Sequence, residues 1–251
     1  MSLADDELDR YARHIVLREV GGAGQRKLKA ASVVVIGAGG LGSPCLMYLA
    51  AAGVGRLTII DDDRVALSNL QRQVMFDTAD IGRAKTDGAA DALARLNPHV
   101  EVATHTVRLT AGNARQLLAG HDVVADGSDS FATRLAVADA AHGLRIPLVS
   151  AAVGSFDGQL GTYRGWEADK PCYRCLVGAA ADRAGDTCAD TGVIGALTGI
   201  MGSLQALEVV REIVGFGEGL AGRLLLYDAL SARMRTLALP KDPGCAGCGV
   251  V

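Results

Sequence analysis

Two Cys-x-x-Cys hooks carry the most specific chemistry in the chain: Cys172 and Cys175 in CYRC, and Cys245 and Cys248 in CAGC near the C-terminus. Four thiolates complete a tetrahedral shell around Zn²⁺ and leave no open coordination position, so the set predicts a structural zinc site. The separation of the hooks exceeds that of a zinc ribbon, and the metal would tie the tail to the body of the fold. A redox Cys-x-x-Cys pair and ordinary buried cysteines are the competing readings.

A second constellation begins at VVVIGAGGLGSP, residues 33–44. Gly37, Gly39 and Gly42 fit G-x-G-x-x-G between a β-branched run and a helix-forming one, with Gly40 inside the turn. The first glycine permits a tight turn, the second lets backbone approach a phosphate, and the third allows close helix packing. The helix N-terminus that follows offers free N–H groups to an anion. Asp61, ending the next apolar run, would accept hydrogen bonds from ribose hydroxyls, with Asp63 beside it in DDD.

Asn69, Arg72 and Lys85 lie in the segments after that run, where they could fold back over phosphates. Two fixed cations and an amide exceed the needs of a diphosphate bridge and suit a triphosphate. ADGSDS places Asp126 and Asp129 at the carboxyl end of a further strand, where open α/β sheets bind ligands, and Asp129 is a candidate Mg²⁺ ligand. The alternative for the glycine turn is an NAD-dependent dehydrogenase, which would need a proton-transfer group, most often His. His14, His99, His105, His121 and His142 are scattered beside charged or loop segments and read as surface or local structural residues, and Trp166 has no assigned role.

Positioning these groups requires an α/β frame. The chain has 251 residues, 49% hydrophobic and 21% charged, enough to bury one substantial core. The net charge of -3 and the absence of like-charge blocks argue against a nucleic-acid surface or a membrane-binding helix. MSLADDELDR lacks the basic and apolar regions of a secretory signal, which makes a cytoplasmic location the expectation.

Residues 4–30 read as a helical arm, with Leu8, Tyr11, Ile15 and Val16 near one face. After it, strands (ASVVVIG, RLTIIDDD, HVEVATHTV, HDVVADGSD, IPLVSAAV) alternate with helices expected from Pro44, about Gly82 to Leu96, about Ala111 onward, and near Ala132 to Ala141. This rhythm predicts a Rossmann-like α/β core with a mainly parallel sheet. GQLGTYR, RLLLYDAL and ARMRTLALP lack intervening helices and predict an antiparallel extension. GVIGALTGIMGSLQALEVV, broken by Gln205 and Glu208, reads as a buried helix and not a membrane span. Cys45, on the helix after the glycine turn, reads as a small buried hydrophobe.

RYARHI, GAGGLGS, SNLQRQ, GRAK, CYRC, GSLQALE and CAGC occur in the order seen in the MoeB/ThiF family of adenylating enzymes, which the chain resembles from about Leu8 to Cys248. The resemblance implies a single adenylating domain over residues 1–251: an arm at about 4–30, a nucleotide-binding half at about 31–150, and a zinc-containing, carrier-binding half at about 151–251. It implies that ATP, with magnesium at Asp129, adenylates the Gly-Gly carboxylate of a ubiquitin-like sulfur carrier of the MoaD/ThiS type. Asp61 would bind ribose, and Asn69, Arg72 and Lys85 the phosphates. Arg13 would reach the nucleotide of a partner subunit, which makes the chain a homodimer.

The molybdopterin-synthase type of carrier is favoured over the thiamine-pathway type. No rhodanese-like extension follows Val251, so a separate rhodanese or cysteine desulfurase is expected as sulfur donor. Cys188, in AGDTCADTG, is a candidate nucleophile or a spare loop thiol whose pKa flanking Asp186 and Asp190 would raise. An inactive half of a heterodimeric activating enzyme and an enzyme acting on a carboxylate in transfer RNA are disfavoured, the first by the retained Arg13, Arg72, Lys85 and Asp129 and the second by the mild acidity.

Overall fold

Val33, Val34, Val35 and Ile36 are all buried, which marks a strand paired on both edges and covered on both faces. In the computed structural model, which describes residues 2–178 and 192–249, they form β1 (Ser32–Ile36) of an eight-stranded sheet ordered β3-β2-β1-β4-β5-β6-β7-β8. β2 (Arg56–Ile60), β3 (Glu101–His105), β4 (Val123–Asp126) and β5 (Leu148–Val153) run parallel to β1, with Val35 opposite Ile59 on one side and Ala125 on the other. β6 (Asp157–Tyr163) follows β5 through a connection too short for a crossover, so its direction reverses. β7 (Arg223–Asp228) and β8 (Arg233–Ala238) continue the antiparallel extension that the sequence predicts.

Successive side chains of the parallel strands point to opposite faces, and each face has its own core. Val33, Val35, Leu57 and Ile59 pack with Leu46 and Leu49 of α4 (Gly42–Ala51), Leu93 of α5 (Lys85–Leu96), and Met201 and Val209 of α9 (Gly195–Val214). Val34, Ile36, Ile60 and Val124 pack with Leu118 of α6 (Ala114–Leu118) and Leu135 and Val137 of α7 (Phe131–Leu144). Each such side chain contributes about 1.5–3 kcal/mol before conformational entropy is set against it. The remaining labelled helix, α8 (Tyr173–Val177), sits at the first cysteine hook.

Several boundaries differ from the sequence expectation. The arm is three helices, α1 (Asp5–Arg10), α2 (Ala12–Ile15) and α3 (Gly21–Ala30). α5 starts at Lys85 and not near Gly82, which sits at φ +89 in a turn, and α6 starts at Ala114 and is a short helix. The apolar run near residue 200 is a buried helix, as expected, and its Gln205 amide nitrogen and Glu208 carboxylate find partners inside, while Gln205 Oε1 has none among the described residues. Gln205 Nε2 donates to the Asp126 and Val149 carbonyls at 2.9 and 3.0 Å, and Glu208 Oε1 accepts the Thr162 hydroxyl at 2.8 Å. Among the described residues no helix is long and apolar enough to cross a membrane.

Candidate functional site

β1 delivers the chain into the glycine turn. Gly37 adopts φ +86, which L side chains rarely tolerate, and a Cβ at Gly42 would stand 1.8 Å from the Gly37 carbonyl oxygen. A Cβ at Gly37 would lie 3.4 Å from the Gly127 carbonyl oxygen, so the turn packs directly on the β4–α7 loop. The crevice between β1 and β4 is the topological switch point of the parallel sheet, where open α/β folds hold ligands. No side chain caps α4; in its first turn the Ser43 amide is taken by the Gly39 carbonyl at 2.8 Å and Pro44 has no N–H, so among the described residues the Gly42 amide is the donor left for an anion.

Asp61 follows β2 and is fastened to the turn. Its Oδ2 accepts the Ala38 amide at 2.7 Å and its Oδ1 the Asp63 amide at 2.8 Å. Burial raises its pKa, opposed by the Lys85 charge and by these two amides. Lys85 opens α5 and is only 5% exposed. Its Nζ donates to Asp63 Oδ2 at 2.8 Å and its backbone amide to the Asp63 carbonyl at 3.0 Å. An ammonium has three donors, so a buried one with a single carboxylate partner keeps two for an incoming anion.

The SNLQRQ segment forms the next wall. Asn69 closes a 3-10 turn, with its Oδ1 accepting the Ala66 amide at 3.1 Å, and half-exposed Arg72 donates Nη1 to the Ser68 carbonyl at 3.0 Å. Gln73, not singled out from the sequence, is buried, and its Oε1 has no partner among the described residues. Its Nε2 lies 3.6 Å from where a Cβ on Gly39 would stand. The start of α9 closes against both segments: a Cβ at Gly195 would meet the Gln71 carbonyl at 2.3 Å, and one at Gly40 would meet Thr198 at 3.1 Å.

The two acids of ADGSDS separate. Asp129 is exposed on the β4–α7 loop and has no hydrogen bond or ion pair among the described residues. Asp126 is 1% exposed and turned inward onto Ser128 and Ser150, which removes it from the ligand-facing edge where the sequence reading placed it. Arg13, on α2, is exposed, and among the described residues it has no partner and no contact that brings it to the cleft. Cys188 lies outside the described residues. His121 bridges the Leu118 carbonyl and the Thr58 hydroxyl at 3.1 and 2.9 Å, a local structural role as expected. A cavity of about 290 Å³ beside it, lined in part by Arg56 and His105, shares no residue with the cleft.

The cysteine hooks meet in space, with all four sulfurs within 4.8 Å of one another. Cys172 lies 3.6 Å from Cys245 and 3.9 Å from Cys175, and Cys175 lies 3.4 Å from Cys248. Zinc–sulfur bonds of about 2.3 Å in a tetrahedron set sulfurs about 3.8 Å apart, so the set fits Zn²⁺. Burial and the neighbouring Cys248 thiol push the Cys172 pKa up, a resistance to ionisation that a divalent cation would remove. The frame around the set is firm: Arg174 forks onto Asp139 of α7 with two bonds of 2.7 Å, and Lys241 donates to the Gly165 and Glu167 carbonyls at 2.8 and 2.9 Å. Cys45 is apart from this cluster, fully buried, with its pKa pushed up to about 12 by burial.

The ThiF family model matches residues 11–247. A sulfur carrier protein adenylyltransferase of Thermus thermophilus is 47% identical, covering 99% of this chain and 93% of that protein. A SAMP-activating enzyme E1 of Haloferax volcanii is 45% identical, covering 99% and 92%. An adenylyltransferase and sulfurtransferase of Anopheles gambiae is 47% identical over 98% of this chain, which spans 56% of that longer protein. Among solved structures, E. coli MccB with ATP superposes with a TM-score of 0.81 at 19% identity, covering 99% of this chain and 83% of that one. At such identity the likeness speaks for the fold alone. The match runs from the arm through the glycine turn and SNLQRQ to the second cysteine hook, and on that span the chain belongs to the ThiF family.

Proposed function

We infer that this protein uses ATP to adenylate the C-terminal Gly-Gly carboxylate of a ubiquitin-like sulfur carrier protein, releasing pyrophosphate and preparing the carrier for sulfur transfer. One observation carries the reading. The glycine turn, Asp61, Asp63 and buried Lys85 meet at the switch point of a chain 47% identical to a sulfur carrier protein adenylyltransferase.

The carrier's terminal carboxylate is ionised at neutral pH, so no general base is needed. Its oxygen attacks the α-phosphorus of ATP, the bond to the β-phosphate bridging oxygen breaks, and pyrophosphate leaves with that electron pair. Catalysis is then positioning and charge neutralisation. The glycine turn and the Gly42 amide at the start of α4 receive phosphate oxygens. Each oxygen of the Asp61 carboxylate accepts one amide and keeps a further lone pair for a ribose hydroxyl. Lys85 turns its free donors from Asp63 toward the phosphates, joined by Asn69, by Arg72, and by Arg13 of a second copy.

The exposed Asp129 carboxylate, without a partner among the described residues, is a hard oxygen donor that suits Mg²⁺, whose charge would further neutralise the triphosphate. Zn²⁺ at Cys172, Cys175, Cys245 and Cys248 would be structural. Cysteines gathered for a metal fit a reducing compartment, and we place the protein in the cytoplasm, with a rhodanese or cysteine desulfurase as sulfur donor.

ATP–pyrophosphate exchange tests the reading with carriers of the molybdopterin-synthase and thiamine types, each compared with a version lacking its terminal glycine. Exchange should require ATP, Mg²⁺ and one intact carrier. A protein that ignores ATP yet binds a nicotinamide cofactor tightly would overturn it.

A further inference from the structure

The loop that presents Asp129 rests on a buried polar cluster outside the nucleotide contacts. Asp126 ends β4 and Arg134 stands in the first turns of α7, at 1% and 8% exposure. Asp126 Oδ1 accepts the Ser128 amide at 3.1 Å and the Ser128 hydroxyl at 2.7 Å. Its Oδ2 accepts the Ser150 hydroxyl at 3.0 Å and faces Arg134 Nη1 at 3.8 Å. Arg134 Nη1 donates to Ser150 Oγ at 3.2 Å, and Nη2 donates to the Ser128 carbonyl oxygen.

Ser128 is therefore gripped at its amide, its hydroxyl and its carbonyl by side chains from β4 and α7, and the next residue is Asp129. A buried ion pair adds little net stability compared with apolar residues of similar volume, so stability alone gives weak grounds for building one here. Its distinctive property is geometric, because charge-assisted bonds to one peptide fix that peptide's orientation.

We propose that the Asp126–Arg134 pair, relayed through Ser150, is a positioning device that sets the Asp129 carboxylate against the triphosphate and its Mg²⁺. The proposal rests on the adenylation reading. Ser150→Ala removes the relay without stranding a charge, and Arg134→Lys keeps the charge but cannot reach Ser150 and Ser128 together. Each should raise the Mg²⁺ concentration for half-maximal ATP–pyrophosphate exchange by about tenfold, the loss expected for a hydrogen bond to a charged group. Both variants should also lower the melting temperature, as stranded buried partners do, and amide hydrogen exchange should quicken in the peptide over residues 127–130 but not in β1.

Calorimetric binding of ATP with and without Mg²⁺ supplies the same comparison at equilibrium, where only the Mg²⁺-dependent part of the affinity should weaken. A cycle with Asp129→Asn separates positioning from general support. The effect of Ser150→Ala should vanish once Asp129 is replaced, whereas an equal effect in both backgrounds, or none in the first, overturns the proposal. Absence of exchange in the unsubstituted protein would instead overturn the adenylation reading, and the proposal with it.

Discussion

Lys85 is the side chain on which adenylation should depend most directly. Its ammonium is buried, its one carboxylate partner is 67% exposed, and it opens a helix whose N-terminus already favours an anion. Lys85→Ala should slow pyrophosphate exchange by about 100-fold or more, as loss of one preorganised donor does, and Asp129→Ala should do likewise. Near-normal exchange in both variants would refute the assigned roles. Lys85 was legible because GRAK leads into a helix in the segments that follow the strand before Asp61, where a cation can fold back over phosphates. The different fates of Asp126 and Asp129 were not. In ADGSDS the two acids are equivalent as letters, and only the fold brings Arg134 and Ser150 under the first and leaves the second in water. Gln73 escaped notice for the same reason, since its burial under the glycine turn depends on a contact remote in sequence.

The arm is the element whose attachment can be tested by pH. Glu7 accepts the Ala4 amide at 2.8 Å and Lys29 Nζ at 2.5 Å, while the Tyr11 hydroxyl accepts Asn97 Nδ2 at 2.8 Å. Burial alone would raise the Glu7 pKa, but the amide and Lys29 outweigh it and hold the carboxyl below its ordinary value. A depressed folded pKa gives stabilisation that is complete above the unfolded value of about 4.3 and is lost as pH falls through the folded one. The arm should therefore loosen in acid, seen as faster hydrogen exchange over residues 2–15 as pH falls below the unfolded value of about 4.3 while β1 stays protected. Unchanged protection there would remove the claim. Tyr11→Phe strands a buried Asn97 donor and should cost about 1–3 kcal/mol in urea unfolding. Helical periodicity predicted the arm but not its breaks. Tyr11 is buried, whereas Leu8 and Val16, assigned to the same face, are 45% and 74% exposed, because periodicity gives a face without saying what will cover it.

At the scale of the whole molecule, two ties join groups that are far apart in sequence or on separate chains. The cysteine cluster joins the tail to α8, and Cys245→Ser should release metal and lower the melting temperature; a metal-free protein of undiminished stability would contradict the site. The other, proposed tie would run between subunits. Arg13 is exposed and unpaired among the described residues of its own chain, yet the proposed chemistry needs its charge at a nucleotide. A dimer in which each arm serves the other cleft makes a prediction that no single-chain arrangement shares. Arg13→Ala and Lys85→Ala should each be nearly inactive alone. In a mixed dimer, the chain bearing Arg13→Ala keeps its own Lys85 and receives an intact Arg13 from its companion, so one of its two clefts is complete. Random assembly from equal amounts makes half the dimers mixed, and co-expression should restore about a quarter of the unsubstituted exchange rate. Activity no greater than the sum of the two variants measured apart would place Arg13 outside the partner's cleft.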